Sequence, residues 1–170
     1  IDRANESVDV IQMTAGGPSQ PFVRAAVRAG RRGVQVRVLL SGAWYAEEEN
    51  REVLESLRAT ASREGLPLEA RLADPRGRFE KVHAKGVVVD GDTVIVGSLN
   101  WNNHSARENR EVAVVLEGQT VGGYFQRAFE GDWHGVPWAV PVGLALIAVV
   151  VVGVALVRAA AVRFDSGAVG

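Results

Sequence analysis

Residues 82–112 read VHAKGVVVDGDTVIVGSLNWNNHSARENREV. Two apolar runs, VVV and TVIV, flank a turn centred on Gly91, which predicts two antiparallel strands joined as a hairpin. In an extended strand, residues two apart share a face, so His83 and Lys85 project together, a titratable imidazole beside a fixed cation. Ser98 and Asn100 repeat that spacing on the second strand and bring a hydroxyl and an amide to the same end of the sheet. With Lys85 they make a cradle for the oxygens of a phosphate.

The offsets His83, Lys85, Asp90 (HxKxxxxD) followed by Gly97, Ser98 and Asn100 (GSxN) resemble the phospholipase D superfamily. The resemblance implies an α/β fold, an α/β/α sandwich with a mixed sheet, and a site that cleaves or transfers phosphodiesters through a covalent phosphohistidine. His83 would attack phosphorus, and Lys85, Ser98 and Asn100 would bind the phosphate. An in-line displacement needs its developing charge held by preorganised cations and donors, which agrees with those residue types. Family members carry a carboxylate that orients the histidine, and Glu111, opening the strand after the loop, is the candidate here. Asp90 lies about 16 Å beyond Lys85 in an extended chain, so its expected role is structural, at or near the Asp90-Gly91 turn. His104 and Asn109 read as polar loop residues. No metal and no other cofactor is expected, because a protonated lysine beside His83 repels a cation.

One departure from the family stands out. Its site is built from two motif copies, the second histidine serving as general acid, whereas here His104 and His134 are followed by Ser105-Ala106 and Gly135-Val136, so there is no second HxK. The partner motif is expected from an upstream half, from a homodimer, or from nowhere. The opening IDRANESVDV has no initiator Met and no signal peptide, reads as a fragment, and favours the first.

Upstream of the motif the chain alternates strand and helix. VDVIQM (residues 8–13) reads as a strand, a Gly/Pro/Ser loop follows, and PFVRAAVRAG starts a helix at Pro21 that Gly30 and Gly33 close. VQVRVLLS (34–41) reads as a strand covered on both faces, so strand, helix and strand imply a parallel βαβ unit. Residues 46–65 form a second helix with Val53, Leu54, Leu57 and Ala61 inward and Glu47, Glu48 and Glu49 in its first turn. Consecutive glutamates fan out over different faces, so they read as a solvated turn complementing the helix dipole. LEARLAD (68–74) is a further strand. Downstream, EVAVVLEG supplies another strand, and residues 121–133 a last helix with Tyr124, Phe125 and Phe129 on its apolar face.

Composition then divides the chain. It has 170 residues, 20 acidic and 19 basic, with no cysteine. The balance excludes a disordered polyelectrolyte or a globally basic nucleic-acid binder, and the missing cysteine excludes disulfides and thiolate chemistry. No charged residue occurs between His134 and Arg158. Residues 136–157, VPWAVPVGLALIAVVVVGVALV, would span roughly 33 Å as a helix, slightly more than a bilayer's hydrocarbon core. The expected organisation is a phospholipase D-like domain at 1–134, a transmembrane helix at 135–158 and a short tail at 159–170. Trp133 and Trp138 bracket the entry as interfacial anchors. Arg158 and Arg163 against Arg127 favour a cytoplasmic C-terminus and a domain on the outer side.

Three readings of the substrate follow. A membrane tether places the site near anionic phospholipid head groups and favours a phospholipid enzyme. Arg71, Arg76, Arg78 and Lys81 before the motif, with Arg107 and Arg110 after it, would also suit nucleic acid and a membrane-anchored nuclease. A catalytically silent membrane module is the third, opposed by the intact His83, Lys85, Ser98 and Asn100.

Overall fold

A computed structural model describes residues 1–73 and 79–135. Three strands, β1 (Ser7–Gln12), β2 (Gln35–Ser41) and β3 (Leu68–Ala73), alternate with the helices α1 (Pro21–Arg31) and α2 (Glu47–Glu64). Next come β4 (Gly86–Val89), β5 (Thr93–Gly97), the short α3 (Asn103–Arg107), β6 (Ala113–Glu117) and α4 (Gln119–His134). The strands form one mixed sheet in the order β3-β2-β1-β4-β5-β6. The first three are parallel, β4 is antiparallel to β1, and β4, β5 and β6 form an antiparallel meander.

The two apolar layers follow from strand alternation. Val8, Val10, Val36, Val38 and Leu40 face α1 and α2 and pack with Val23, Ala26, Val53 and Leu57. Their neighbours Ile11 and Leu39 point the other way and pack with Phe129 and Trp133 of α4. Helices therefore cover both sides of the sheet, and β2 reads as a continuous apolar run because neither face meets water. Each such side chain, fully buried, contributes about 1.5–3 kcal/mol.

A buried polar link fixes α4 on its face. Arg37 of β2 donates to both carboxylate oxygens of Asp9 on β1 at 2.6 and 2.8 Å and to Glu130 of α4 at 2.6 Å. Its guanidinium lies 4.9 Å from the Phe129 ring centroid. The N-terminal end of α4 is held differently. A Cβ on Gly122 would come within 2.1 Å of the Gly91 carbonyl oxygen, so only glycine lets the helix seat against the β4–β5 turn.

Several sequence expectations need adjustment. Gly30 does not end α1; it is buried within the helix where α1 passes Leu66 and Leu68. The 102–110 loop contains α3, started by Asn102, whose side chain accepts from the Ser105 N–H at 2.8 Å. Among the described residues no helix is long and apolar enough to cross a membrane. α4 ends at His134 and is capped by Gly135 in a left-handed conformation. The expected span and tail lie, from residue 136 onward, outside the described residues, as do Arg76 and Arg78.

Candidate active site

The register of the sheet decides which loops can meet. β4 is antiparallel to β1, with Ile11 opposite Gly86, so the start of β4 lies beside the C-terminal end of β1. The end of β5 and the start of β6 join them, because Gly97 pairs with Ala113. One edge of the sheet thus gathers the residues around 13–16, 41–46, 82–85, 98–102 and 109–112. Every motif residue except Asp90 falls on it.

His83 and Lys85 do not lie on β4 as the alternation predicts; they sit in the extended segment just before it. The ladder continues past the strand end, since the Gly97 N–H donates to the Lys85 carbonyl at 3.2 Å. His83 is exposed, whereas Lys85 is 8% exposed. The Lys85 ammonium donates to the His83 carbonyl at 2.8 Å and lies 3.1 Å from His83 Nδ1 and 3.7 Å from Met13 Sδ. It also lies 3.5 Å from His83 Nε2, so the ammonium sits close to both ring nitrogens. Burial pushes the Lys85 ammonium below the ordinary lysine range, with the Glu111 charge opposing it.

Ser98 and Asn100 likewise lie beyond β5, on the loop that leads to α3. The Ser98 hydroxyl donates to the Glu111 carboxylate and accepts the Val112 N–H at 3.1 Å. Asn109 adds a bond to Glu111 at 3.1 Å. These bonds, from Ser98 first and then Asn109, hold the Glu111 carboxyl below its ordinary range. The expected contact from Glu111 to the His83 ring is therefore not the one found. Among the described residues Glu111 holds Ser98, and the lysine ammonium takes the position beside the imidazole. Asn100 Oδ1 is buried with no hydrogen-bond partner among the described residues. His104 pairs with Glu108 across one turn of α3 at 3.0 Å.

Asp90 stands at the opposite edge. It adopts a left-handed φ of 51° and accepts the backbone N–H groups of Asn5, Glu6 and Ser7 at 2.8 to 3.2 Å. Burial alone would raise its carboxyl, but those three donors outweigh it and hold the group low. It clasps the entry to β1 to the β4–β5 turn. Gly97 has a steric reason for its place in the motif: a Cβ there would come 2.1 Å from the Val112 carbonyl oxygen.

Residues outside the motif hold this edge together. Asn50 of α2 is fully buried; its amide donates to the Met13 and Ser41 carbonyls at 2.8 Å each and its oxygen accepts the Ala15 N–H at 3.2 Å. Thr14 accepts the Trp101 N–H at 3.1 Å through its carbonyl and an Asn102 amide bond at 3.0 Å through its hydroxyl. Trp101 stacks on Phe22 of α1 at 5.8 Å. The loop after β1 thereby ties the lysine and the GSxN loop to the core. A lone Asn inside an otherwise ordinary helix is the one available sequence signal for Asn50.

Two points bear on the ligand. Among the described residues no three His, Asp or Glu side chains gather where an ion could sit. The basic cluster is smaller than the sequence suggests, because Arg71 bonds Glu69 at 2.8 Å and lies 4.1 Å from the Trp133 ring centroid.

A mixed sheet between helix layers, with a histidine, a buried lysine and a GSxN loop on one edge, is the build of a phospholipase D-like domain. A family model described as "Cardiolipin synthase, PLD-like domain" matches residues 1–133, and the chain belongs to that family. A mitochondrial cardiolipin hydrolase of Xenopus tropicalis is 30% identical over 133 residues, covering 78% of this chain and 57% of that protein. The Xenopus laevis protein of the same name is 28% identical over 132 residues, covering 77% and 56%. The chain thus spans little more than half the length of these relatives. Among solved structures, the phospholipase D family member Nuc from Salmonella typhimurium superposes with a TM-score of 0.62 at 24% identity, covering 79% of this chain and 82% of that one. NucT from Helicobacter pylori gives 0.63 at 15% identity over the same shares. Both likenesses describe the fold.

Proposed function

We propose that this domain is one half of a membrane-anchored phosphodiesterase acting on phospholipid head groups by hydrolysis or transphosphatidylation. The observation that carries the chemistry is the pairing of an exposed His83 with a buried Lys85, whose Nζ lies 3.1 Å from the imidazole Nδ1. The His83 ring nitrogen attacks phosphorus, the bond from phosphorus to the leaving oxygen breaks, and a phosphohistidine forms. Water, or an alcohol in transfer, then attacks the same phosphorus and returns the ring nitrogen its electron pair. Lys85 and the loop donors at Ser98 and Asn100 hold the phosphate oxygens throughout. For Ser98 to donate to phosphate it must release Glu111, since a hydroxyl has one proton. Glu111 is the site's fixed negative charge and positions Ser98.

The leaving oxygen needs a proton, and the described site has one histidine. A second motif, from an upstream half or a second copy of the chain, supplies that acid in this reading. The orphaned Asn100 Oδ1 supports completion from outside, because a buried acceptor without a donor costs about 1–3 kcal/mol. The lipid assignment is supported by the family's description, by the cardiolipin hydrolases among its relatives and by the uncharged run at 136–157. That run is read as a single span with the domain on the outer side.

The test compares wild type with His83→Ala on a soluble chromogenic phosphodiester. Turnover is expected to fall by a factor on the order of 10³ or more; equal rates in both proteins would remove His83 as nucleophile. Anionic phospholipid vesicles and DNA, offered in parallel over a range of salt, then separate the lipid enzyme from a nuclease, with cleavage confined to DNA overturning the lipid assignment.

A further inference from the structure

The loop after β2 carries two aromatic side chains that the catalytic reading does not use. Trp44 is 87% exposed and Tyr45 41%, and their rings meet edge to face at 5.5 Å. Lys81 lies over the Tyr45 ring, its ammonium 5.3 Å from the centroid. Leaving an indole this exposed forgoes burial that a folded domain ordinarily gains, so the pair calls for a partner outside the domain.

The position of the pair identifies the partner. Trp44 follows the C-terminal end of β2, on the sheet edge that carries His83 and Lys85. The direction of α4 supplies an independent observation. The helix starts against Gly91 at the far edge, and Trp133 near its end belongs to one buried cluster with Ala73 at the end of β3 and Val82 beside His83. α4 therefore ends on the side of the catalytic edge, and the uncharged run begins in the sequence at residue 136, two residues after His134.

We infer that Trp44 and Tyr45 form an interfacial anchor that seats the catalytic edge on the surface of a phospholipid bilayer, an inference that rests on the membrane-anchored reading above. An indole and a phenol at head-group depth bury their apolar rings and keep their N–H and O–H in the polar layer, and Lys81 adds a cation that reaches the phosphates. The surrounding charge opposes a polyanion held by electrostatics, since Glu47, Glu48 and Glu49 follow Tyr45 closely and Glu80 adjoins Lys81. Single-stranded nucleic acid also lacks a stacking platform here: the two rings are at 84° and Lys81 covers a face of Tyr45. Insertion of the aromatic pair provides most of the attachment, with Lys81 as a lesser contribution, so binding depends little on salt.

The experiment uses the full chain in phosphatidylcholine vesicles, with the emission of Trp44 taken as the difference between wild type and Trp44→Phe. That difference spectrum is expected to be blue-shifted, quenched by brominated acyl chains, and little changed between low and high salt. A Trp44 emission quenched by aqueous iodide and untouched by brominated lipid overturns the inference. So does a blue shift produced by single-stranded DNA and not by vesicles. This readout does not need turnover, so a failure of the phosphodiesterase reading leaves it intact. Where turnover is present, Trp44→Ser with Tyr45→Ser should keep the rate on a soluble diester and lose it several-fold on vesicle lipid; equal loss on both assigns the pair to the fold and overturns the anchor.

Discussion

Lys85 shows how the site trades stability for chemistry. Its ammonium is buried and depressed by desolvation, so the folded state holds a charge it disfavours relative to the unfolded chain. The sign follows directly: the penalty is complete below the depressed value, and stability rises as the pH climbs from there to the ordinary lysine range. Lys85→Met removes the charge and keeps the length. We expect its urea midpoint at neutral pH to exceed that of wild type while turnover falls by a factor on the order of 10² or more. A midpoint below wild type would mean that the bonds to His83 and Met13 outweigh the burial cost. At this scale the sequence is informative about proximity, since the spacing expected His83, Lys85, Ser98 and Asn100 at one end of the sheet and the strand register gathers them there. The contacts of Glu111 differ from expectation because its partner depends on how residues 98 and 112 meet across two strands, and strand-end geometry is not written in residue types. Asn50 is hidden for a similar reason: its three partners come from the loop after β1 and from the last residue of β2.

The elements of the sheet are legible because each apolar period matches its environment. The run in β2 announces two covered faces, and the acidic first turn of α2 announces its N-terminus. Strand ends are less legible, and they matter here, since His83, Lys85, Ser98, Asn100 and Glu111 all lie one to three residues beyond the regular strands, and ladder bonds continue past them at Lys85 and Ser98. Gly97 is the element-level constraint that makes this possible. Its missing Cβ lets the 112–113 backbone close on the end of β5 and brings Ser98 to Glu111. Gly97→Ala must push β6 outward, at a cost of about 1–3 kcal/mol for overpacking. Hydrogen exchange at Ala113 to Leu116 should accelerate, with turnover falling in the same variant; unaltered exchange would show that the strand ends accommodate a methyl group.

At the scale of the whole domain, the sheet has a parallel half, β1 to β3, and an antiparallel half, β4 to β6, with α4 crossing the seam between them. The Arg37, Asp9 and Glu130 group fastens that crossing, with Asp9 2% exposed. Asp9→Ala removes two charge-assisted bonds from Arg37, which keeps Glu130 as its partner, so the unfolding free energy should fall by about 1.5–3 kcal/mol. Denaturant titration measures it, and a loss below about 1 kcal/mol, the range of exposed pairs, would show that α4 is held by its aromatic contacts alone. The alternation of elements predicts the parallel half and the hairpin, but not that β1 lies at the centre of the sheet, because sheet order is a property of long-range pairing. That placement has a consequence for synthesis. The ladder between β1 and β4 brings Ser7 to Asp90, 83 residues apart. A ribosome releases β1, β2 and β3 well before β4, so the nascent chain presents one side of its future central strand as a bare edge until the catalytic segment emerges. Unpaired edges of this kind template aggregation. The same segment that delivers the histidine and lysine is therefore also the one that ends this exposure, and its deletion would leave a chain prone to self-association as well as inactive.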